Sequence, residues 1–531
     1  MTEGKNLSEV SKGKAFSATN SKIKATIHQI RLGRAPKDEK LHSMSQSIIK
    51  ELGMNVTLIK SASFRYLFDE KSRRVYVIGE NREFQAYLNE NFGINSEFNY
   101  IKNDIEREAE YRGQVSEVYI FSFWDRKTKR LFIDKRDGRV IVLDGRGKET
   151  INNGEGGVFF LTPENAEPIE LEDPGTGVRY FSGNGLKLKD ADVANQSHLL
   201  NALTRGLRFT GPLSPHEQKM FLLVIVYLLF FESIHPTKPI TLITGPKGSG
   251  KTDLSRNIGQ ILFGAQYDVT YLRDDERDFI AACVRNYLIA LDNVEAKNAR
   301  LVDLIAIIAT GGTISLRELH TTCDNIKVRP RVFLLINAID PKLRRNDIAD
   351  RLLIFQLDRL STFGSRATIS ENIKTVTPKI WGEVLTNLHF IIKRLKTDQV
   401  IPEGKFRLQD LEVFSKRICS DPKEVEEILE KMEGLRAEYS LTYDNFCVLL
   451  DLVFDTSLYD SIGPITAKDL LDTFRSITEK NKSVQCYFKN AKSLGRKISE
   501  IKAELERSYG LVVHHERAGV VKYEFFCRND G

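Results

Sequence analysis

Apolar positions along the chain change rhythm several times, and each change marks an element or a boundary. Over 62–185 they alternate with polar positions in short runs. "FRYLFDEKSRRVYVI" (64–78) predicts strand, polar turn, strand, and "EVYIFSFWDRKTKRLFIDKRDGRVIVLDG" (117–145) repeats that grammar twice, placing Asp134 and Asp137 at turns. Between them "EFQAYLNENFG" (83–93) predicts a helix closed by Gly93. A small α+β unit over 46–185 is expected, and its chemistry is not legible.

Residues 186–232 predict a helical linker, ending in the apolar run "MFLLVIVYLLFF" (220–231). That run is shorter than the ~20 residues a bilayer needs, so a buried helix is expected and no membrane partner. Residues 233–365 change again, to β-prone apolar runs separated by polar segments. "ISENIKTVTPKIWGEVLTNLHFIIKRLK" (369–396) carries helical spacing in its second half, and 366–460 is expected to be a mostly helical lid and connector. Over 461–531, "ITAKDLLDTFRSI" predicts a helix with Thr466 as N-cap, "AKSLGRKISEIKAELERSYG" a longer helix ended by Gly510, and "LVVHHERAGVVKYEFF" a hairpin turning at Gly519. Helix, helix and two-stranded wing is the outline of a winged helix. Lys492, Arg496, Lys497 and Lys502 fall on or near its recognition-helix position, with Arg517 at the wing tip. A DNA-reading role and a folded cap with solvated cations both fit.

Composition narrows this picture only slightly. With 531 residues the chain should divide into several units, and its 78 Lys+Arg against 72 Asp+Glu permit a nucleic-acid partner without demanding one. Residues 1–45 form a basic stretch, expected to be a disordered tail or an arm that touches nucleic acid. No apolar signal-peptide core opens the chain. The six cysteines are scattered without a CxxC, which argues against zinc or a disulfide framework and fits the cytoplasm.

Specific chemistry enters at "TLITGPKGSGKTDL" (241–254). Gly245, Gly250, Lys251 and Thr252 fit G-x-x-x-x-G-K-[ST], with a β-prone run before and a helix-compatible segment after. The loop Gly245, Pro246, Lys247, Gly248, Ser249 and Gly250, through its N–H groups other than at Pro246, followed by Lys251, Thr252 and Asp253, would surround the phosphates of ATP at a helix N-terminus. Lys251 would reach the β- and γ-phosphates and the Thr252 hydroxyl would ligate Mg²⁺. The apolar run "YLIAL" places Asp292 at a strand's carboxyl end as a second metal ligand. Asn293 follows where a catalytic glutamate is usual, and Glu295 is the nearest replacement. "RVFLLINAID" (331–340) offers Asn337 for the attacking water or the γ-phosphate, and Arg351 precedes a further apolar run.

That order of P-loop, acidic strand, Asn-ending strand and arginine is the order of an AAA+ module. The expected fold class is an α/β AAA+ P-loop NTPase core with an N-terminal α+β domain and a C-terminal winged helix. Residues 240–360 resemble the cores of minichromosome maintenance helicases and of superfamily-three-like helicases from phages, plasmids and mobile elements; "ADRLLIFQLD" resembles the "SRFDLIFVLLD" type of motif of the former. The resemblance implies a ring, expected to be a hexamer, in which Arg351 acts on the neighbouring subunit's nucleotide, with Arg344 and Arg345 as alternates. An ion pair of Arg351 with Asp347 or Asp358 is the structural alternative. It also implies that a hairpin within "ATGGTISLRELHTTCDNIKVRPR" (309–331) points into the channel, where Arg317, His320 and Lys327 would hold single-stranded or forked DNA. His320 equally suits a structural place. The expected activity is an ATP-driven DNA helicase or translocase of a replicating mobile element; the alternative is a DNA-binding AAA+ assembly switch, such as an initiator, loader or defence regulator. A P-loop protein without nucleic acid is disfavoured by the basic hairpin.

Overall fold

The computed structural model describes residues 22–526 except 80, 164–165, 175–180, 183–184, 189–196, 272–274, 293–298, 318–324, 340–342, 344–345, 398–403, 442–444, 457–460, 481–484 and 516–519. Within the stretch expected to be a tail, residues 22–32 are helical. Ile23 and Ile27 stand one turn apart and bury against Met44 and Ile48 of the helix Lys37–Asn55. Two isoleucines among many lysines and serines are enough to recruit this segment into a core.

The N-terminal unit holds two four-stranded sheets. In the first, strands Arg74–Val77, Arg65–Asp69, Val56–Lys60 and Gln114–Val115 lie side by side in that order. Helix Arg82–Phe92 belongs to its core and ends, as the sequence predicts, at Gly93 with φ 70°. The second sheet is an antiparallel meander of Ser122–Asp125, Arg130–Asp134, Arg139–Leu143 and Lys148–Asn152. Its inner face does not close on itself: Phe121, Trp124, Leu131 and Ile141 join the same core as the apolar helix α1 (Pro215–Leu228). The Ser122 hydroxyl donates to the Phe230 carbonyl at 3.1 Å. Asp134 is buried at the end of its strand, accepting from Thr162 Oγ1 and the Arg136 N–H, and so serves structure there.

The central sheet has six strands: β1 (Phe209–Thr210), β2 (Ile240–Thr244), β3 (Thr270–Tyr271), β4 (Leu288–Asp292), β5 (Phe333–Ala338) and β6 (Leu352–Leu357), in the spatial order β1-β6-β2-β5-β4-β3. All are parallel except β1, which runs against β6. Helix α2 (Lys251–Phe263) follows β2, and α3 (Arg366–Lys396) packs on it; the Trp381 indole donates to the Ile261 carbonyl at 3.0 Å. Strands this short and apolar are buried on both faces, so periodicity fades and near-continuous hydrophobic runs remain. Between residues 186 and 232 the expected helical linker contains a short helix His198–Thr204, then β1, then α1. The Glu383 carboxylate of α3, fully buried, receives the Ser197 hydroxyl at 2.6 Å and the His198 N–H at 2.7 Å, where the positive end of the short helix stabilises it.

At the C-terminus the predicted long helix divides at Ile501 into Ala491–Glu500 and Lys502–Tyr509. The hairpin Val512–His515 with Val521–Phe526 gains a third strand, Ser461–Thr466, giving the order first, third, second along the chain. Thr466 accepts from the Asp469 N–H at 3.2 Å, as an N-cap. Among the described residues no helix is long and apolar enough to cross a membrane.

His235, just before β2, lies wholly buried with both ring nitrogens unbonded, edge-on to Phe414. Burial, aided by Lys238 and Arg126, pushes its pKa down from 6.5 to about 3. The unfolded chain takes up a proton below 6.5 that the folded one refuses until about 3, so stability is complete above that window and falls as the pH drops through it. His235→Phe should remove about 2 kcal/mol of the loss between pH 6.5 and 5, measured as flatter pH dependence of urea midpoints.

Candidate functional site

Strand β2 ends at Thr244 and the chain turns into the glycine-rich loop before α2 begins at Lys251. Gly245, Gly248 and Gly250 take φ values of 148°, 76° and 85°, which side chains resist. Space is equally short: a Cβ on Gly245 would lie 2.1 Å from the Leu357 carbonyl oxygen, and one on Gly250 would lie 2.5 Å from Leu207 Cδ2. The glycines therefore let the loop fold tightly against the end of β6 and present its backbone inward.

Lys251 is largely buried within this loop. Its ammonium donates to the carbonyls of Gly245 at 2.7 Å and Pro246 at 2.8 Å and approaches Ser249 Oγ at 3.3 Å. Burial lowers its pKa, and the nearby Asp292 carboxylate opposes that shift. One turn of α2 lies over the strand ends. The Thr252 hydroxyl stands 3.1 and 3.2 Å from the two Asp292 carboxylate oxygens. Asn337 occupies the register position between them, paired with Ile243 on one side and Asp292 on the other.

Asn337 is fully buried. Its Oδ1 accepts from Ser255 Oγ of α2 at 2.7 Å, while its Nδ2 has no hydrogen-bond partner among the described residues. An orphaned buried amide costs about 1–3 kcal/mol, and a bound acceptor would offset that cost. Ser255, which aims the amide, falls outside the fingerprint; its position one turn after Thr252 on the same helix face was the available signal.

Beside the loop lies a cavity of about 440 Å³, within the range that takes nucleotide-sized ligands. Leu207, Leu360 and Ile369 give it apolar walls, Asn372 and His198 add polar edges, and Gly250 and Asp253 join it to the loop. The Leu360 N–H donates to the Gly248 carbonyl at 3.0 Å, tying the segment after β6 to the loop. None of these wall residues carries a motif, because they come from three separate segments that only the fold assembles.

The remaining candidates lie elsewhere. Arg351 precedes β6, so it stands at the opposite end of the parallel sheet from the loop, about 15–20 Å away at one strand's length. It is only 8% exposed. Asp358, its suggested ion-pair partner, sits instead at the far end of β6 and pairs with Arg208 at 3.6 Å. A hairpin stem is present where the sequence places it, Ile314–Arg317 against Asn325–Val328. Lys327 is exposed on that stem, and its carbonyl accepts from Ser63 Oγ of the N-terminal unit at 2.8 Å. Arg317 belongs to the first strand of the stem. His320, Glu295, Arg344, Arg345 and Arg517 lie outside the described residues, as do the side chains of Arg317 and Asp347. On the helix Ala491–Glu500, Lys492 and Arg496 are exposed one turn apart and Lys497 is half-buried, while Leu494 and Ile498 face the core.

A family model described as the replication protein of actinomycete integrative conjugative elements matches residues 216–420. The match holds nearly all of α1, the loop, β2 to β6 and α3, less than half of the chain. No curated protein matches. Among solved structures, the apo C-terminal region of NrS-1 aligns at 11% identity and a TM-score of 0.37, over 91% of this chain and 98% of that one. JCV helicase, bound to a small molecule, aligns at 13% identity and a TM-score of 0.23, over 45% and 62% respectively. At such scores the likeness carries no weight for fold or activity.

The loop geometry yields a direct test. Gly245→Ala should displace the loop from Leu357 and weaken binding of a fluorescent ATP analogue by at least about tenfold, while the fold survives a strain of about 1–3 kcal/mol. Analogue titration and thermal melting separate the two effects.

Proposed function

We propose that the chain is an ATP-dependent DNA helicase or translocase that assembles as a ring, expected to be a hexamer, and serves replication of a mobile element. The observation that carries the ATP-dependent part is the convergence of Lys251, Thr252, Asp292 and Asn337 at the carboxyl ends of β2, β4 and β5, where ligands of α/β sheets collect. The family match over 216–420 supports replication of an integrative element as the setting. The exposed cations Lys327, Lys492 and Arg496 support DNA as the partner, with the 461–531 segment read as a winged helix. Ring assembly rests on the sequence resemblance of residues 240–360.

In this reading ATP places its base in the cavity beside Leu207, Leu360 and Ile369 and its phosphates over the loop. Lys251 exchanges the Gly245 and Pro246 carbonyls for phosphate oxygens. Thr252 and Asp292 would hold Mg²⁺, which when bound would supply charge neutralisation for the phosphates. Asn337, aimed by Ser255, donates its free N–H to the attacking water or to the γ-phosphate. Arg351 is assigned to a neighbour's nucleotide by motif, and its burial requires a rearrangement before it can reach one.

Two observations favour the second reading, an assembly switch that binds DNA and turns over slowly. Asn293 stands where a catalytic glutamate is usual, and Arg351 is withheld from the surface. Unwinding of a forked duplex decides between them: the helicase reading requires ATP-driven strand separation, and ring formation with DNA binding but no separation supports the switch. Lys251→Ala should lower ATP hydrolysis by at least about a hundredfold, as removal of a transition-state charge contact does; unchanged turnover would remove the loop from the mechanism. Mixing Arg351→Ala with Lys251→Ala chains tests the assignment across subunits, because restored turnover requires complementary half-sites.

A further inference from the structure

We propose that a cleft between the N-terminal unit and the foot of the 314–328 hairpin takes one unstacked base of a single-stranded DNA, with its phosphates on an arginine rim. The cleft measures about 170 Å³, below the ~300–1,000 Å³ of pockets that hold a whole drug-sized ligand. It lies at the beginnings of β4 and β5, next to Tyr287 and Arg331, and so at the other end of those strands from Asp292 and Asn337.

Its walls are aromatic and cationic. Phe64, half-buried, and Tyr66 line one side in an edge-on pair. Tyr119 also lines the cleft and, with the Arg331 guanidinium over it at 5.3 Å, begins a ring series that continues beyond the lining, Phe123 on Tyr119 at 4.0 Å and Phe132 on Phe123 at 5.9 Å. Arg331 ends that stack inside the cleft, held also by Glu117 at 3.1 Å, and a planar guanidinium so fixed is a platform for a base. Arg285 and Arg329 are exposed lining residues that have no ion pair among the described residues. The acidic residues of the lining are already engaged, Glu117 by Arg331 and Glu232 by Lys238 at 2.9 Å. A flat slot with an uncompensated positive rim suits an aromatic anion, and a strand held at the hairpin foot supplies one.

Ser63, a lining residue, donates to the Lys327 carbonyl, which places the cleft where the N-terminal unit meets the hairpin stem. A base seated there would be shared between the two, giving the N-terminal unit a part in holding the strand. The inference rests on the DNA reading above, and the test distinguishes the two.

Anisotropy of a labelled oligothymidylate should be measured on the full chain across a salt series. Phe64→Ala and Arg331→Lys should each weaken binding about tenfold, as loss of a stacking surface does; Arg331→Lys keeps the charge, so a purely ionic role would leave affinity unchanged. Arg285→Gln and Arg329→Gln, both exposed and unpaired, should keep the fold and each lower the salt slope by roughly 0.7. Wild-type affinity and slope in all four variants would overturn the cleft while leaving the DNA reading intact. Absence of oligothymidylate binding by the unaltered chain would overturn both. Full competition by thymidine monophosphate, with no gain from oligonucleotide length, would reassign the cleft to a free nucleotide and overturn the strand.

Discussion

The two-sided pairing of β2 is the constraint on which the rest of the structure depends. Its backbone is bonded to β6 on one side and β5 on the other, residue for residue from Ile240 to Thr244, and its apolar side chains are buried. A slip of one residue would turn Asn337 to the far face of the sheet and leave buried amides unpaired, at about 1–3 kcal/mol each. The same ladder sets Asp292 beside Asn337 through β4. The site is thus less a set of side chains that find one another than a consequence of strand register. Even the loop is shaped this way, because Gly245 closes on the Leu357 carbonyl at the end of β6.

With the strands fixed, the loop's charges are arranged for exchange. Lys251 spends its donors on two loop carbonyls, contacts between a charge and dipoles. Phosphate oxygens offer it contacts between opposite charges in place of contacts in which only the donor is ionised. The unpartnered Nδ2 of Asn337 points to the same conclusion from the opposite direction, since a buried donor without an acceptor favours whatever ligand supplies one. Burial, not a nearby cation, lowers the Lys251 pKa, and its approach to Asp292 limits that fall.

What could be read in the sequence follows from how far apart the cooperating residues lie. The loop is contiguous and its chemistry is local, so a fingerprint describes it; Asp292 and Asn337 each end an apolar run and inherit their place from it. Ser255 was signalled only by its place one turn after Thr252, and the cavity walls were not legible, because Leu207, Leu360 and Ile369 share no pattern. The helix over 22–32 was hidden by the lysines and serines of the wider 1–45 stretch, which dilute an isoleucine pair one turn apart. The meander over 122–152 reads as part of a separate unit only while its inner face is taken to be self-sufficient; Phe121 and Trp124 bury into the core of α1. Arg351 is a different case: the motif assigns it to a neighbouring subunit's nucleotide, and within this chain a residue before a parallel strand lies at the opposite end of the sheet from a loop that follows one.

That polarity organises the whole molecule. The glycine-rich loop with Lys251, Thr252, Asp292 and Asn337 lies where the strands end, and the N-terminal unit, the hairpin stem and Arg331 lie where they begin. Strand β5 runs between the two: Arg331 precedes it and contacts Glu117 and Tyr119, while Asn337 near its end meets α2 through Ser255. Strand β5 is paired on both sides, with β2 and with β4, so both of its ends are held in one ladder. The hairpin stem lies immediately before β5 in sequence, joined to it by only Arg329, Pro330, Arg331 and Val332, of which Pro330 and Val332 are buried. So short and anchored a connection leaves the stem little freedom of its own.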